Sequence, residues 1–136
     1  MILVTGGAGH LGNVLVRTLL EKGEKVRVLV LPGEDVSSLE GLDCERVEGN
    51  VLDPEKLRLA MQGVDLVYHM AALVAITSDK YELMYKVNVE GTRNVIAACH
   101  EMGVRRLVYT SSIHALGRPE EGTTIDETVE FDQTNP

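Results

Sequence analysis

The stretch Thr5-Gly6-Gly7-Ala8-Gly9-His10-Leu11-Gly12 follows directly on the apolar run Ile2-Leu3-Val4. Glycines at this density let a backbone turn sharply out of a strand and approach a ligand without Cβ clashes. The apolar periodicity that resumes at Leu11 predicts a helix, whose free N–H groups and positive dipole end face whatever the loop holds. Strand, glycine turn and helix in this order make a cradle for an anion, above all a pyrophosphate. A lone glycine match would read as an ordinary turn. Here the strand before it and the helix after it supply the context.

Strand and helix patterns then alternate. Ile2–Val4 reads as a strand and Leu11–Lys22 as a helix, with Leu11, Leu15 and Leu19 on one face and Gly23 as its stop. Val26–Leu31 is a second strand and Cys44–Glu48 a weaker third. Asp53-Pro54 opens a helix with Asp as N-cap and Pro at the first helical position, ending at Gly63. Val64–His69 is a fourth strand, Lys80–Glu101 a long helix stopped by Gly103, and Arg106–Ser111 a fifth strand. Such alternation predicts right-handed crossovers and a doubly wound parallel α/β sheet with helices on both faces. We therefore expect one domain over residues 1–117. Residues 118–136, rich in acids such as Glu120, Glu121, Asp126, Glu127, Glu130 and Asp132, read as an acidic loop or tail.

At 136 residues the chain is long enough to bury one core. Its formal net charge of -8 argues against non-specific nucleic-acid binding, which needs a basic face. With no Trp and one Phe it lacks a stacking platform for single strands. Cys44 and Cys99 have no metal-ligand spacing, so no metal and no disulfide are expected, only buried thiols of a reducing compartment. There is no basic-then-apolar leader and no apolar run long enough to span a bilayer. The expected location is cytoplasmic, with no membrane partner.

Further motifs follow the glycine loop in order: Gly49-Asn50-Val51-Leu52-Asp53, Val67-Tyr68-His69-Met70-Ala71-Ala72, Asn88-Val89-Glu90-Gly91-Thr92 and Leu107-Val108-Tyr109-Thr110-Ser111-Ser112. Together they resemble the extended branch of the short-chain dehydrogenase/reductase family. That branch includes nucleotide-sugar epimerases and dehydratases, dihydroflavonol-reductase-like enzymes and 3β-hydroxysteroid dehydrogenases. The resemblance covers essentially the whole chain and implies a Rossmann fold, an NAD(P) cofactor, a small-molecule substrate and, in the full-length protein, a homodimer through helices that include Lys80–Glu101. It implies that Gly6, Gly9 and Gly12, with the adjoining His10 and Leu11, hold the cofactor pyrophosphate. Gly7-x-Gly9-x-x-Gly12 overlaps that set by one residue. Asn50 and Val51 would meet the adenine, Met70, Ala71 and Ala72 the ribose, and Thr110 and Ser111 the cofactor wall. Ser112 would be the catalytic residue that hydrogen-bonds the substrate oxygen. Asp53 is explained by its capping role, and His69 is read as a hydrogen-bonded structural histidine. Asn88 would make a structural hydrogen bond close to the site, and Gly91 would pack against another element.

The chain departs from the family in two places. Where the second strand should end in an acid for the ribose hydroxyls of NAD or an Arg for the phosphate of NADP, it carries Val30 and Leu31. Glu34 and Asp35 come late and read as solvated loop residues. With no acid to repel a 2′-phosphate, the cofactor reading leans slightly to NADP. The family's Tyr-x-x-x-Lys acid–base pair is also absent, since none of Tyr68, Tyr81, Tyr85 and Tyr109 has Lys four residues on. The chain therefore reads as the N-terminal part of a longer enzyme, truncated before the sixth strand and the substrate-binding region, that binds a dinucleotide without turning over. The segment after Ser112 looks more reductase-like than epimerase-like, because Ala115-Leu116-Gly117 stands where sugar epimerases usually carry Val-Tyr-Gly. The alternatives are a nucleotide-sugar epimerase or dehydratase and a non-catalytic dinucleotide-sensing module.

Overall fold

The expected strands form as β1 (Ile2–Thr5), β2 (Val26–Val30), β3 (Glu45–Glu48), β4 (Leu66–His69) and β5 (Arg106–Tyr109). The computed structural model describes residues 1–74, 78–116, 122 and 124–131. The five strands make one parallel sheet in the order β3-β2-β1-β4-β5. This is the doubly wound, Rossmann-type arrangement. The chain runs outward from β1 in one direction through β2 and β3, then returns to the other side through β4 and β5. Loops leaving β1 and β4 therefore part to opposite faces, and a crevice opens between them at the carboxyl edge.

β1 is buried along its whole length, as a central parallel strand should be. Its side chains alternate between two cores. Ile2 and Val4 pack with Val16 and Leu19 of α1 (His10–Glu21) on one face. Leu3 packs on the other face with Leu57 and Ala60 of α2 (Pro54–Ala60) and with Val95, Ala98 and Cys99 of α4 (Thr92–Glu101). The N-cap reading of Asp53 holds: its Oδ1 accepts the Glu55 and Lys56 N–H groups. The carbonyls at the far end of α2 find a partner in β2, where the Arg27 guanidinium donates to Ala60 O at 2.7 Å and Gln62 O at 2.8 Å.

Two expectations are corrected. The buried face of α1 is Gly12, Val16 and Leu19, and Leu11 is 60% exposed. The helix is rotated because Gly12, not Leu11, is the residue small enough to lie against the glycine loop. The long helix is also not uniform. It runs as α3 (Tyr81–Tyr85), a π-helical segment over Lys86–Gly91, and then α4. Pattern reading does not see such a segment, since the apolar spacing on either side of it is helical.

After β5 a turn leads to Leu116, which forms an antiparallel bridge with Phe131. Asp126 Oδ1 accepts from the backbone N–H and hydroxyl of Thr128 in the intervening stretch. Glu120, Glu121 and Asp132 of the acidic stretch lie outside the described residues. Both cysteines are free; Cys99 is buried and Cys44 half-buried. Burial pushes the Cys99 thiol up to about 11, which keeps it protonated and unreactive. Among the described residues, no helix is long and apolar enough to cross a membrane and no cluster of metal-ligating side chains is present.

Candidate active site and cofactor cleft

A cleft of about 390 Å³ opens at the carboxyl edge between the loops after β1, β2, β3 and β4. It is lined by the expected Gly6, Gly9, Leu31, Asn50, Val51, Met70, Ala71 and Ala72. Segments distant in sequence thus meet there. His10, Leu11 and Gly12 do not line it but form the first turn of α1 beside it. Thr110, Ser111 and Ser112 are exposed at the same edge, also outside the lining. They continue β5 past the pair His69–Tyr109, and the Thr110 N–H still donates to His69 O at 3.2 Å.

The geometry settles which glycine register faces the cleft. Gly6 has φ +71°, a region closed to most L side chains. A Cβ there would also lie 2.8 Å from the Ala71 nitrogen. On Gly9 a Cβ would approach only Gly6 O, at 3.3 Å, so a side chain would project into the space the loop surrounds. A Cβ on Gly12 would come within 2.0 Å of Gly6 O, so this residue lets α1 close on the loop. Gly7 instead lies against Val28 on β2, where a Cβ would be 2.5 Å from its Cγ1. Gly6 and Gly9 therefore line the cleft, while Gly12 packs behind them on Gly6 and Gly7 packs on β2. Gly9 caps α1 with no side-chain hydrogen bond, and no acid occupies the first turn. The N-terminal N–H groups of α1 therefore have no side-chain cap.

A buried hydrogen-bond chain holds the loop after β4. Thr92 Oγ1 donates to Asn88 O at 2.7 Å, so it accepts from His69 Nε2–H at 3.0 Å. The His69 Nδ1 is then an acceptor and takes the Thr5 hydroxyl at 2.7 Å, while Thr5 Oγ1 accepts the Ala71 N–H at 3.2 Å. Every proton in the chain is accounted for by a neutral imidazole carrying hydrogen on Nε2. His69 is fully buried and stacks on Tyr109 with ring centroids 5.6 Å apart. Burial pushes its pKa from 6.5 down to about 4. His69 is therefore a structural histidine, as its sequence context implied.

Asn88, inside the π-helical segment, accepts the Leu73 N–H at 2.8 Å and donates to Leu73 O at 2.9 Å. The widened turn is a feature often found at functional sites. Gly91 packs on Val51, where a Cβ would lie 2.7 Å from Cγ2, and Asn94 Nδ2 donates to Val51 O at 3.1 Å. Asn50 Oδ1 already accepts the Leu52 N–H at 2.9 Å, which leaves one lone pair for a ligand. Sequence reasoning missed Thr5, Leu73, Leu83 and Val87 as cleft residues, and Glu34 above all. Glu34 is a loop residue, as expected, but it is half-buried and lines the cleft. The signal was Pro32-Gly33, a turn that folds the chain back on the end of β2.

Residues 3–135 match the 3-beta hydroxysteroid dehydrogenase/isomerase family. The chain belongs to that family. The expected place within the extended short-chain dehydrogenases/reductases stands with it. It is 44% identical over 122 residues to sterol demethylase protein B of Methylococcus capsulatus, which covers 90% of this chain and 37% of that protein. It is similar to a short-chain dehydrogenase/reductase superfamily protein from Agrobacterium tumefaciens solved with bound NAD, with TM-score 0.76, 37% identity, 88% of this chain and 35% of that one. It is also similar to the UDP-glucose 4-epimerase of Thermus thermophilus in complex with NAD, with TM-score 0.84, 28% identity, 96% of this chain and 44% of that one. The chain thus spans between 35% and 44% of the length of these three proteins.

Proposed function

We propose that this chain is the dinucleotide-binding part of an NAD(P)-dependent oxidoreductase acting on a carbinol or carbonyl carbon of a small molecule. The observation that carries the reading is the cleft at the point where sheet order reverses, walled by Gly6 and Gly9 and flanked by the uncapped first turn of α1. A bound nicotinamide supplies the hydride acceptor or donor. The chain's own residues do the rest. Gly6, Gly9 and the first-turn N–H groups of His10, Leu11 and Gly12 bind the pyrophosphate. Leu31, Asn50 and Val51 flank the adenosine, and Met70, Ala71 and Ala72 run along the ribose. Thr110 and Ser111 wall the cofactor, and Ser112 donates a hydrogen bond to the substrate oxygen.

A cytoplasmic location and a homodimer belong to the same reading. Free thiols support the first, and the exposed Tyr81 and Tyr85 of α3 and Ile96 of α4 support the second. The lean to NADP rested on Val30 and Leu31 alone, and Glu34 now weighs against it.

The test is Ser112→Ala in the full-length protein. We expect kcat to fall about a hundredfold, as for loss of one donor to a developing oxyanion, with the dinucleotide Kd unchanged. An unaltered kcat refutes the assignment. The likeness to the UDP-glucose 4-epimerase favours a nucleotide-sugar epimerase as the second reading. Product analysis separates the two: a reductase consumes reduced cofactor with turnover, whereas an epimerase returns it.

A further inference from the structure

We infer that Glu34 selects the cofactor, by supplying at the adenosine-ribose end of the cleft the carboxylate that β2 lacks. The protein then prefers NAD to NADP. The inference rests on the dinucleotide reading above.

The chain leaves β2 through Leu31-Pro32-Gly33-Glu34. Proline at the second position and Gly33 at φ +75° in the third have the form of a type II turn, closed by Glu34 N–H donating to Leu31 O at 3.1 Å. The reversal carries the Glu34 side chain back to the strand end, where its Oε2 accepts the Leu31 N–H at 2.8 Å. A carboxylate four residues past the strand-end position Val30 is thereby delivered to the end of β2. A strand-end acid there would meet the ribose hydroxyls.

Glu34 is half-buried and lines the cleft, whereas Leu31, Pro32, Gly33 and Asp35 around it are exposed. The Leu31 N–H is its one intrachain donor among the described residues, and a carboxylate accepts up to about four hydrogen bonds. Capacity therefore remains for two adjacent ribose hydroxyls. A 2′-phosphate, with its roughly -1.5 to -2 charge, would face this carboxylate, and none of the residues lining the cleft is Lys or Arg. The cation that lines the adjoining depression, Lys56, shares it with Glu48 and Asp53.

The test compares Kd for NADH and NADPH, by fluorescence titration and calorimetry, in the full-length wild type, Glu34→Gln and Asp35→Asn. Glutamine keeps an oxygen for the Leu31 N–H and so preserves the turn. We expect wild type to favour NADH at least about tenfold, Glu34→Gln to shrink that ratio about tenfold through tighter NADPH binding, and Asp35→Asn to leave it unchanged. Equal wild-type affinities, or a ratio that Glu34→Gln does not move, overturn the inference while the dinucleotide reading stands. If wild type binds neither dinucleotide, both fall together.

Discussion

The glycine loop after β1 and the hydroxyl-rich segment after β5 leave the same edge of one sheet, yet their surroundings differ. β1 has a strand on either side and a core on either face, and Thr5, Gly7 and Gly12 are buried. β5 has one neighbour among the described residues. Val108, Tyr109 and Ile113 are 40%, 52% and 67% exposed, and Thr110, Ser111 and Ser112 are exposed with them. The contrast separates two tasks. The half of the cleft assigned to the dinucleotide is held by contacts inside this stretch of chain. The segment assigned to chemistry lies outside the cleft lining, on a strand with one neighbour among the described residues.

The sharpest way to break this contrast is at Gly12. The backbone there lies against the Gly6 carbonyl and neither can give way. Gly12→Ala is expected to cost about 3 kcal/mol or more and to abolish dinucleotide binding, read by thermal melting and titration. Ser111→Ala at the open end is expected to change stability by no more than about 0.5 kcal/mol. Similar losses at both positions would erase the difference.

The buried hydrogen-bond chain gives the enclosed half a dependence on acid. The folded state depresses the His69 pKa from 6.5 to about 4, so the fold favours the neutral imidazole. Its contribution is complete above about pH 6.5 and is lost as pH falls toward 4. The shift corresponds to about 3 kcal/mol. Protonation would put a hydrogen on Nδ1, facing the Thr5 hydroxyl that now donates to it. Urea unfolding at pH 7 and pH 4 should therefore show a steeper loss for wild type than for His69→Gln. Asp35, Asp65 and Glu101, whose pKa values are lowered by their hydrogen bonds, add the same acid loss to both proteins and cancel in the comparison. Parallel losses would show that His69 carries none of it.

A smaller effect is expected at Asn88, which ties the rim loop to the π-helical segment. Asn88→Ala removes both bonds to Leu73 and should cost about 1–3 kcal/mol. Amide exchange at Leu73 should rise about tenfold, with exchange at Gly6 and Gly9 unchanged. If exchange rises at the glycine loop as well, the two rims are one cooperative unit and the division drawn here is too fine.

Much of this was legible from local pattern. The glycine turn, the Asp53-Pro54 cap and the strand runs each depend on a few consecutive residues, so a linear reading reaches them, although it left the glycine register open by one residue. It failed where a partner lies far along the chain. Leu11 looked like the start of an apolar face, but Gly12 is drawn inward by the Gly6 carbonyl. The helix over Lys80–Glu101 looked regular, but Asn88 answers to Leu73 and Gly91 to Val51. Glu34 looked solvated because Pro32-Gly33 signals a turn but not where the side chain after it lands, and only the fold places that carboxylate on the Leu31 N–H.

Sequence alone determined the alternation of strands and helices, the family and the glycine turn between β1 and α1, because periodicity and glycine placement act over a few residues. The tertiary structure decided which residues share the cleft, the tautomer of His69 and the place of the Glu34 carboxylate. Each of these depends on contacts made by packing or chain reversal, and no spacing along the chain encodes them.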